Sequence, residues 1–451
     1  MHYCTEAFGA YDIRGIYPKT INEEIAYRIG RFFPVLFGAK KVVVGNDVRL
    51  SGSALKAGLT KGLTESGCDV VDIGQCGTEM IYFATVHLKL DGGVMITASH
   101  NPQAYNGMKF VRQEARPISG DTGLRELEAQ VADDMLPEIA EVLGKVERLD
   151  ISEDYVKHIL SYVDVSQLKP LKVVVNAGNG AAGPLLDVME KYLPFELVKV
   201  HHEPDGNFPN GVPNPLLPEN RAVTAQAVRE SGADVGVAWD GDFDRCFMFD
   251  EQGNFIEGYY MVGFLAQAFL KKQPGEKIIY DSRLTWNTKE LVEENGGIPV
   301  ISKSGHAFIK EKMRQENAIY GGEMSAHHYF RDFSYCDSGM IPWLLVMELF
   351  SQAEGKRLSE LMKERMAQYP CSGEINSKVK DADEVLERIE AEYGPQGKVA
   401  KIDGLSVELT DWRFNLRKSN TEPVIRLNVE ARQDESLLRE KTAELLAKIR
   451  A

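Results

Sequence analysis

Three times along the chain a lysine opens a short run of β-branched residues that ends in a polar loop: Lys41-Val-Val-Val-Gly-Asn-Asp, Lys172-Val-Val-Val-Asn-Ala-Gly and Lys277-Ile-Ile-Tyr-Asp-Ser-Arg. Apolar runs this short, bounded by turn residues, predict strands buried on both faces of a parallel sheet. A helical stretch follows each, as over 53–66 and 181–191. A second strand comes next: Asp69-Val-Val-Asp-Ile, Leu197-Val-Lys-Val or Ile298-Pro-Val-Ile-Ser. A third strand then runs into a polar loop. Those loops are Thr97-Ala-Ser-His-Asn-Pro102, Asp240-Gly-Asp-Phe-Asp-Arg245 and Gly322-Glu-Met-Ser-Ala-His327.

Strands alternating with helices imply a parallel sheet in each repeat, and ligands collect beyond the carboxyl ends of such strands. The residues with the most chemistry therefore fall at the equivalent place in three units. The rhythm changes after about residue 366, and the chain closes on a Leu/Glu/Lys-rich helix. The predicted architecture is α/β, with three similar domains of mixed, mostly parallel sheets (1–148, 149–254 and 255–366). A C-terminal α+β domain follows over 367–451.

With 451 residues the chain exceeds one hydrophobic core. A net charge of −15 argues against nucleic acid and anionic membrane as partners, since both repel an acidic surface. A phosphorylated small molecule feels only the local field of its site. The six cysteines are scattered without a CxxC pair, which fits reduced thiols and a cytoplasmic protein. The first residues carry no basic-then-apolar leader, and no run of about 18 apolar residues could span a bilayer.

Ser99, on a loop at a strand end beside His100 and a tight Asn-Pro turn, reads as a nucleophile, a phosphate carrier or a plain turn. It lacks the G-x-S-x-G elbow of a serine hydrolase, and a neighbouring His100 need not face it. Asp240, Asp242 and Asp244 place carboxylates at every second position, suited to one hard cation. An EF-hand is excluded because Arg245 stands where its turn needs glycine. Glu323 and Ser325 point the same way in an extended loop, as a grip on neighbouring sugar hydroxyls. His327 and His328 lack further ligands at zinc spacing. Arg417-Lys-Ser-Asn-Thr-Glu-Pro gathers the donors of a phosphate cradle. Gly178-Asn-Gly-Ala-Ala-Gly183 matches a dinucleotide fingerprint with Glu203 downstream, but the other two repeats lack glycines there.

Taken together these loops resemble the α-D-phosphohexomutase family from Phe8 to near the C-terminus, and Ala10-Tyr-Asp-Ile-Arg-Gly15 matches as well. Glu323-Met-Ser is similar to the phosphomannomutase/phosphoglucomutase branch. The resemblance implies four domains around a central cleft: phosphoserine, metal-binding, sugar-recognition and phosphate-binding. It implies interconversion of mannose 6-phosphate and mannose 1-phosphate for GDP-mannose synthesis, with glucose phosphates as the alternative. A phosphoserine at Ser99, Mg²⁺ and a hexose 1,6-bisphosphate, both intermediate and activator, come with that reading. Carried over by position, Asp240, Asp242, Asp244 and phosphorylated Ser99 hold the metal, with Arg14, Lys109 and Arg245 near the phosphoserine. His327 moves the hydroxyl proton. Glu323, Ser325, Arg283 and His306 meet the sugar, and Arg417, Ser419, Asn420 and Thr421 hold the phosphate that is not reacting. The partner is a phosphosugar, and the chain is a monomer or homodimer. Ala326 replaces a glycine common in the sugar loop, which puts a positive-φ backbone there in question.

Overall fold

The computed structural model describes residues 4–133, 135–353, 355–418 and 424–451. By internal contacts the chain forms two units, one of residues 1–255 with 332–354 and the other of 256–331 with 355–451.

In the first unit, Lys41–Asn46 lies between the parallel strands Asp69–Gln75 and Gly92–Ile96. Val42, Val43 and Val44 are fully buried, as a strand covered on both faces requires. Tyr105–Arg112 then returns antiparallel along Gly92–Ile96 and carries Ile13–Ile16 on its far edge. The second sheet repeats the plan. Lys172–Asn176 sits between parallel Glu196–Val200 and Val235–Trp239, and Cys246–Phe249 returns antiparallel on the latter. Helix Met340–Gln352 belongs to this unit, with Glu79 Oε1 accepting from the Gly339 and Met340 amides at its N-terminus (3.0 and 3.2 Å).

In the second unit, Lys277–Asp281 lies between parallel Ile298–Ser302 and Tyr320–Gly322, and His328–Phe330 returns antiparallel. The repeat in the sequence is thus a repeat in topology. In each copy the polar loop joins the third parallel strand to its antiparallel return, at the carboxyl end of the sheet. The last sheet is wholly antiparallel: Cys371–Ser377, Ile425–Ala431, Trp412–Lys418, Leu405–Glu408 and Lys398–Ala400. Helices Ala382–Tyr393 and Glu435–Arg450 contribute Ile389, Leu445 and Ile449 to its core, which also holds Phe414, Leu416 and Val429. The fold is α/β with mixed sheets and an antiparallel C-terminal layer. Among the described residues no helix is long and apolar enough to cross a membrane, and all six cysteines are free thiols.

Candidate active site

The serine loop is held in an uncommon shape. Ser99 is buried with φ 47°, a conformation that costs a non-glycine residue about 1 kcal/mol or more. Its amide donates to Thr97 Oγ1 at 2.8 Å, and its carbonyl accepts from Arg49 Nη2 at 2.9 Å. Gly241 explains how a second loop comes so close: a Cβ there would lie 2.7 Å from the Ser99 carbonyl oxygen. Behind it, Gly180 packs on Gly241, and the Ala181 amide donates to the Gly241 carbonyl at 3.0 Å. The glycine fingerprint of 178–183 therefore buttresses the aspartate loop.

Ser99 Oγ donates to Asp240 Oδ2 at 2.6 Å and lies 3.0 Å from His100 Nδ1, so His100 does face the serine. Asp240, Asp242 and Asp244 are all buried, and each offers a carboxylate oxygen within 4.8 Å of the others. Among the described residues Asp242 Oδ1 has no hydrogen-bond partner. A buried carboxylate oxygen left unpaired is costly, and three oxygen donors around it match a hard divalent cation. The residues fit such a metal.

Cations surround the cluster. Lys109 Nζ donates to Asp242 Oδ2 at 2.8 Å and Asp244 Oδ2 at 2.5 Å. Burial by itself would lower the lysine's pKa, but Asp242 and Asp244 outweigh it and hold the ammonium above its ordinary value. Burial likewise opposes charge on Asp242, and Lys109, Thr78 and Arg14 overcome it, so that the carboxylate stays ionised. Arg245 Nε and Nη2 donate to Asp240 Oδ2 at 3.0 and 2.8 Å, and Nη2 also contacts His100 Nδ1. Arg14 Nε pairs with Asp12 at 2.8 Å while Nη1 donates to Asn101 Oδ1 at 2.6 Å, at the edge of the serine loop.

The second unit gathers the other candidates. Glu323 Oε1 accepts from the Gly305 amide at 2.8 Å and Arg283 Nη2 at 3.3 Å, and Oε2 accepts from Tyr329 OH at 2.5 Å. Arg283 Nη2 also reaches Ser325 Oγ at 3.1 Å and Asp281 Oδ2 at 2.8 Å. The rings of His306 and His327 lie 6.4 Å apart. Arg417 is buried, with Nη2 on Glu374 Oε2 at 3.0 Å. Ala326 adopts φ 70°, so the left-handed turn survives the absence of glycine. Ser419, Asn420 and Thr421 lie outside the described residues.

Comparison with known proteins meets this geometry at every domain. Models of phosphoglucomutase/phosphomannomutase α/β/α domains I, II and III match residues 5–137, 153–253 and 257–369, and the C-terminal domain model of that family matches 374–447. The chain belongs to this family. Among its relatives are the phosphohexose mutases of Xanthomonas campestris pv. campestris, 60% identical over 440 residues, covering 97% of this chain and 98% of the relative. A phosphomannomutase of Escherichia coli is 57% identical over 448 residues, with 98% of both chains covered. The crystal structure of a phosphoglucomutase/phosphomannomutase family protein from Burkholderia thailandensis superposes with a TM-score of 0.87 at 35% identity, covering 98% of this chain and 97% of that one. The chain is thus a phosphohexomutase-family isomerase, and a phosphosugar is its class of substrate.

Several members of the site escaped the reading of the sequence. Arg49 donates to four carbonyls, those of Ser99, Asn101, Pro102 and Tyr105, at 2.6 to 2.9 Å. Asp47 accepts from Thr97 Oγ1 at 2.7 Å, and burial pushes it up to about 6 although Arg49 and Thr97 pull the other way. Thr78 Oγ1 donates to Asp242 Oδ2 at 2.5 Å. The signal for Asp47 and Arg49 was their place directly after the first lysine-led strand. Glu374 had no such signal.

Proposed function

We propose that this protein interconverts mannose 6-phosphate and mannose 1-phosphate, with phosphorylated Ser99 as carrier, and so supplies mannose 1-phosphate for GDP-mannose synthesis. One observation carries the reading: a buried, conformationally constrained serine hydroxyl 2.6 Å from a carboxylate of a metal-competent aspartate cluster. High identity to relatives named phosphomannomutase supports mannose as the sugar.

In the forward half-reaction, the bond between phosphorus and the Ser99 oxygen breaks as a bond forms to the free hydroxyl of mannose 6-phosphate. That hydroxyl gives its proton to His327. The product is a 1,6-bisphosphate, which reorients. Its bond between phosphorus and the C6 oxygen then breaks as the phosphoryl group returns to the Ser99 oxygen, and the C6 oxygen takes back the proton from His327 to leave as a hydroxyl. Lys109 and Arg245 offset the charge on the transferring oxygens, which is the main contribution a protein makes to phosphoryl transfer. Mg²⁺ held by Asp240, Asp242 and Asp244 would add Lewis-acid polarisation there. Glu323 and Ser325 grip hydroxyls common to both poses of the sugar, and Arg417 with the 419–421 segment holds the distal phosphate.

The test is a matched rate comparison of mannose 1-phosphate and glucose 1-phosphate with Mg²⁺ and catalytic glucose 1,6-bisphosphate, following 6-phosphate formation and free phosphate together. Faster isomerisation of the mannose ester without phosphate release supports the reading. A glucose preference changes the sugar, and net phosphate release discards the mutase.

A further inference from the structure

Thr78 holds Asp242 by two handles. Its amide donates to the Asp242 carbonyl at 3.0 Å, and its hydroxyl donates to Asp242 Oδ2 at 2.5 Å. The residue is fully buried at the start of helix Thr78–His87. Gly77 just before it makes the approach possible, because a Cβ there would lie 2.3 Å from the ring of Phe243. Phe243 is itself buried in a left-handed turn, with φ 45°. Helix start and aspartate loop are thus fitted to each other through backbone, ring and side chain.

The hydrogens around Asp242 sort its two oxygens. Lys109 Nζ donates to Oδ2 at 2.8 Å and stands 3.4 Å from Thr78 Oγ1. An ammonium only donates, so the single proton of the Thr78 hydroxyl goes to the carboxylate. Thr97 Oγ1 is 3.2 Å from the same Oδ2 but only 2.7 Å from Asp47 Oδ2, and it too has one proton to give. Oδ2 is therefore committed to Thr78 and Lys109. Oδ1 is buried and accepts no hydrogen bond among the described residues. Such an oxygen is costly to leave unmet, and in a cluster of three aspartates its complement is a cation.

We propose that Thr78 is a positioning residue that commits Asp242 to offering one oxygen, Oδ1, and so tunes the aspartate cluster for Mg²⁺ over Ca²⁺. This rests on the reading that Asp240, Asp242 and Asp244 hold the metal. Mg²⁺ demands a compact octahedron, whereas Ca²⁺ takes more oxygens and accepts both from one carboxylate. Without the hydroxyl, Oδ2 keeps Lys109 as its close partner, on a flexible stem that also serves Asp244. The carboxylate can then turn both oxygens toward a larger ion.

The experiment strips the full chain of divalent metal with a chelator and titrates it calorimetrically with MgCl₂ and, separately, CaCl₂. Loss of a group that orients a metal ligand weakens binding by about tenfold or more, so Thr78→Val should raise the Mg²⁺ dissociation constant by that factor. The Ca²⁺ constant stays level or falls, and Thr78→Ser, which keeps the hydroxyl, restores the parent values for both ions. An unchanged Mg²⁺ constant in Thr78→Val, or an equal weakening of both ions, overturns the proposal. Asp242→Asn separates the two readings: it must weaken Mg²⁺, and no change there removes the metal site and the role of Thr78 with it. Should Thr78→Val fold poorly, the rise in melting temperature is compared at equal concentrations of each ion. The Mg²⁺ rise must be smaller than in the parent and the Ca²⁺ rise must not; equal reductions, or none, overturn the role.

Discussion

Arg49 holds Ser99 by the backbone: its Nη2 donates to the Ser99 carbonyl at 2.9 Å, and the same guanidinium serves the carbonyls of Asn101, Pro102 and Tyr105. One side chain thus fixes the path of the whole serine loop. The Arg49 guanidinium also stands over the Phe208 ring at 5.3 Å, and Asp47 lies 3.4 Å from its Nε.

Arg49→Lys should lower kcat by about 100-fold with little change in KM, because a misplaced reacting group costs about that much. An ammonium cannot span four carbonyls as a planar fork does. Steady-state kinetics measures this, and faster hydrogen exchange over 98–105 is the expected companion.

Gly241→Ala places a methyl group 2.7 Å from the Ser99 carbonyl. Overpacking of this kind costs about 1–3 kcal/mol, and here it pushes apart the two loops that share the Ser99–Asp240 hydrogen bond. Turnover should fall steeply while the melting temperature drops by only a few degrees.

Asp242→Asn removes one charge from the aspartate cluster and should raise the Mg²⁺ concentration for half-maximal activity by about tenfold or more, equivalent to about 1.4 kcal/mol. A magnesium titration of activity reads this directly. The neutral amide also leaves Lys109, among the described residues, with Asp244 as its remaining carboxylate partner.

His328 gives the second unit an acid-labile element. It is buried against Tyr320, whose hydroxyl lies 2.6 Å from Nδ1, and burial together with neighbouring His327 pushes its pKa down to about 3. In the folded chain it stays neutral, whereas the unfolded chain binds a proton below about 6.5. Its contribution is therefore whole above pH 6.5 and is lost as pH falls toward 3, by at most about 1.4 kcal/mol per pH unit. Urea midpoints at pH 7.5 and 5 should differ less in His328→Gln than in the parent.

What the sequence made legible was local in the chain. The serine, aspartate and glutamate loops each follow a short apolar strand within a few residues, so periodicity alone put them at equivalent sheet ends. The three-fold topology followed from the same lysine-led runs. What it hid was made by pairing across the fold. Arg49 acts on a loop fifty positions later, and Glu374 meets Arg417 only through the register of the last sheet. The 178–183 glycines carried a misleading local signal, because a close backbone approach to Gly241 demands the same residue type as a dinucleotide loop. The side chain of His100 is oriented by a left-handed Ser99, which no spacing rule anticipates.

The most direct test of the account is where the phosphoryl group resides. The protein is charged with glucose 1,6-bisphosphate, digested and mapped by mass spectrometry, then discharged with mannose 6-phosphate. The account predicts phosphate on Ser99 alone, its transfer to the sugar as a 1,6-bisphosphate, and loss of both label and turnover in Ser99→Ala. Phosphate on another residue, or near-parent turnover in Ser99→Ala, would contradict it.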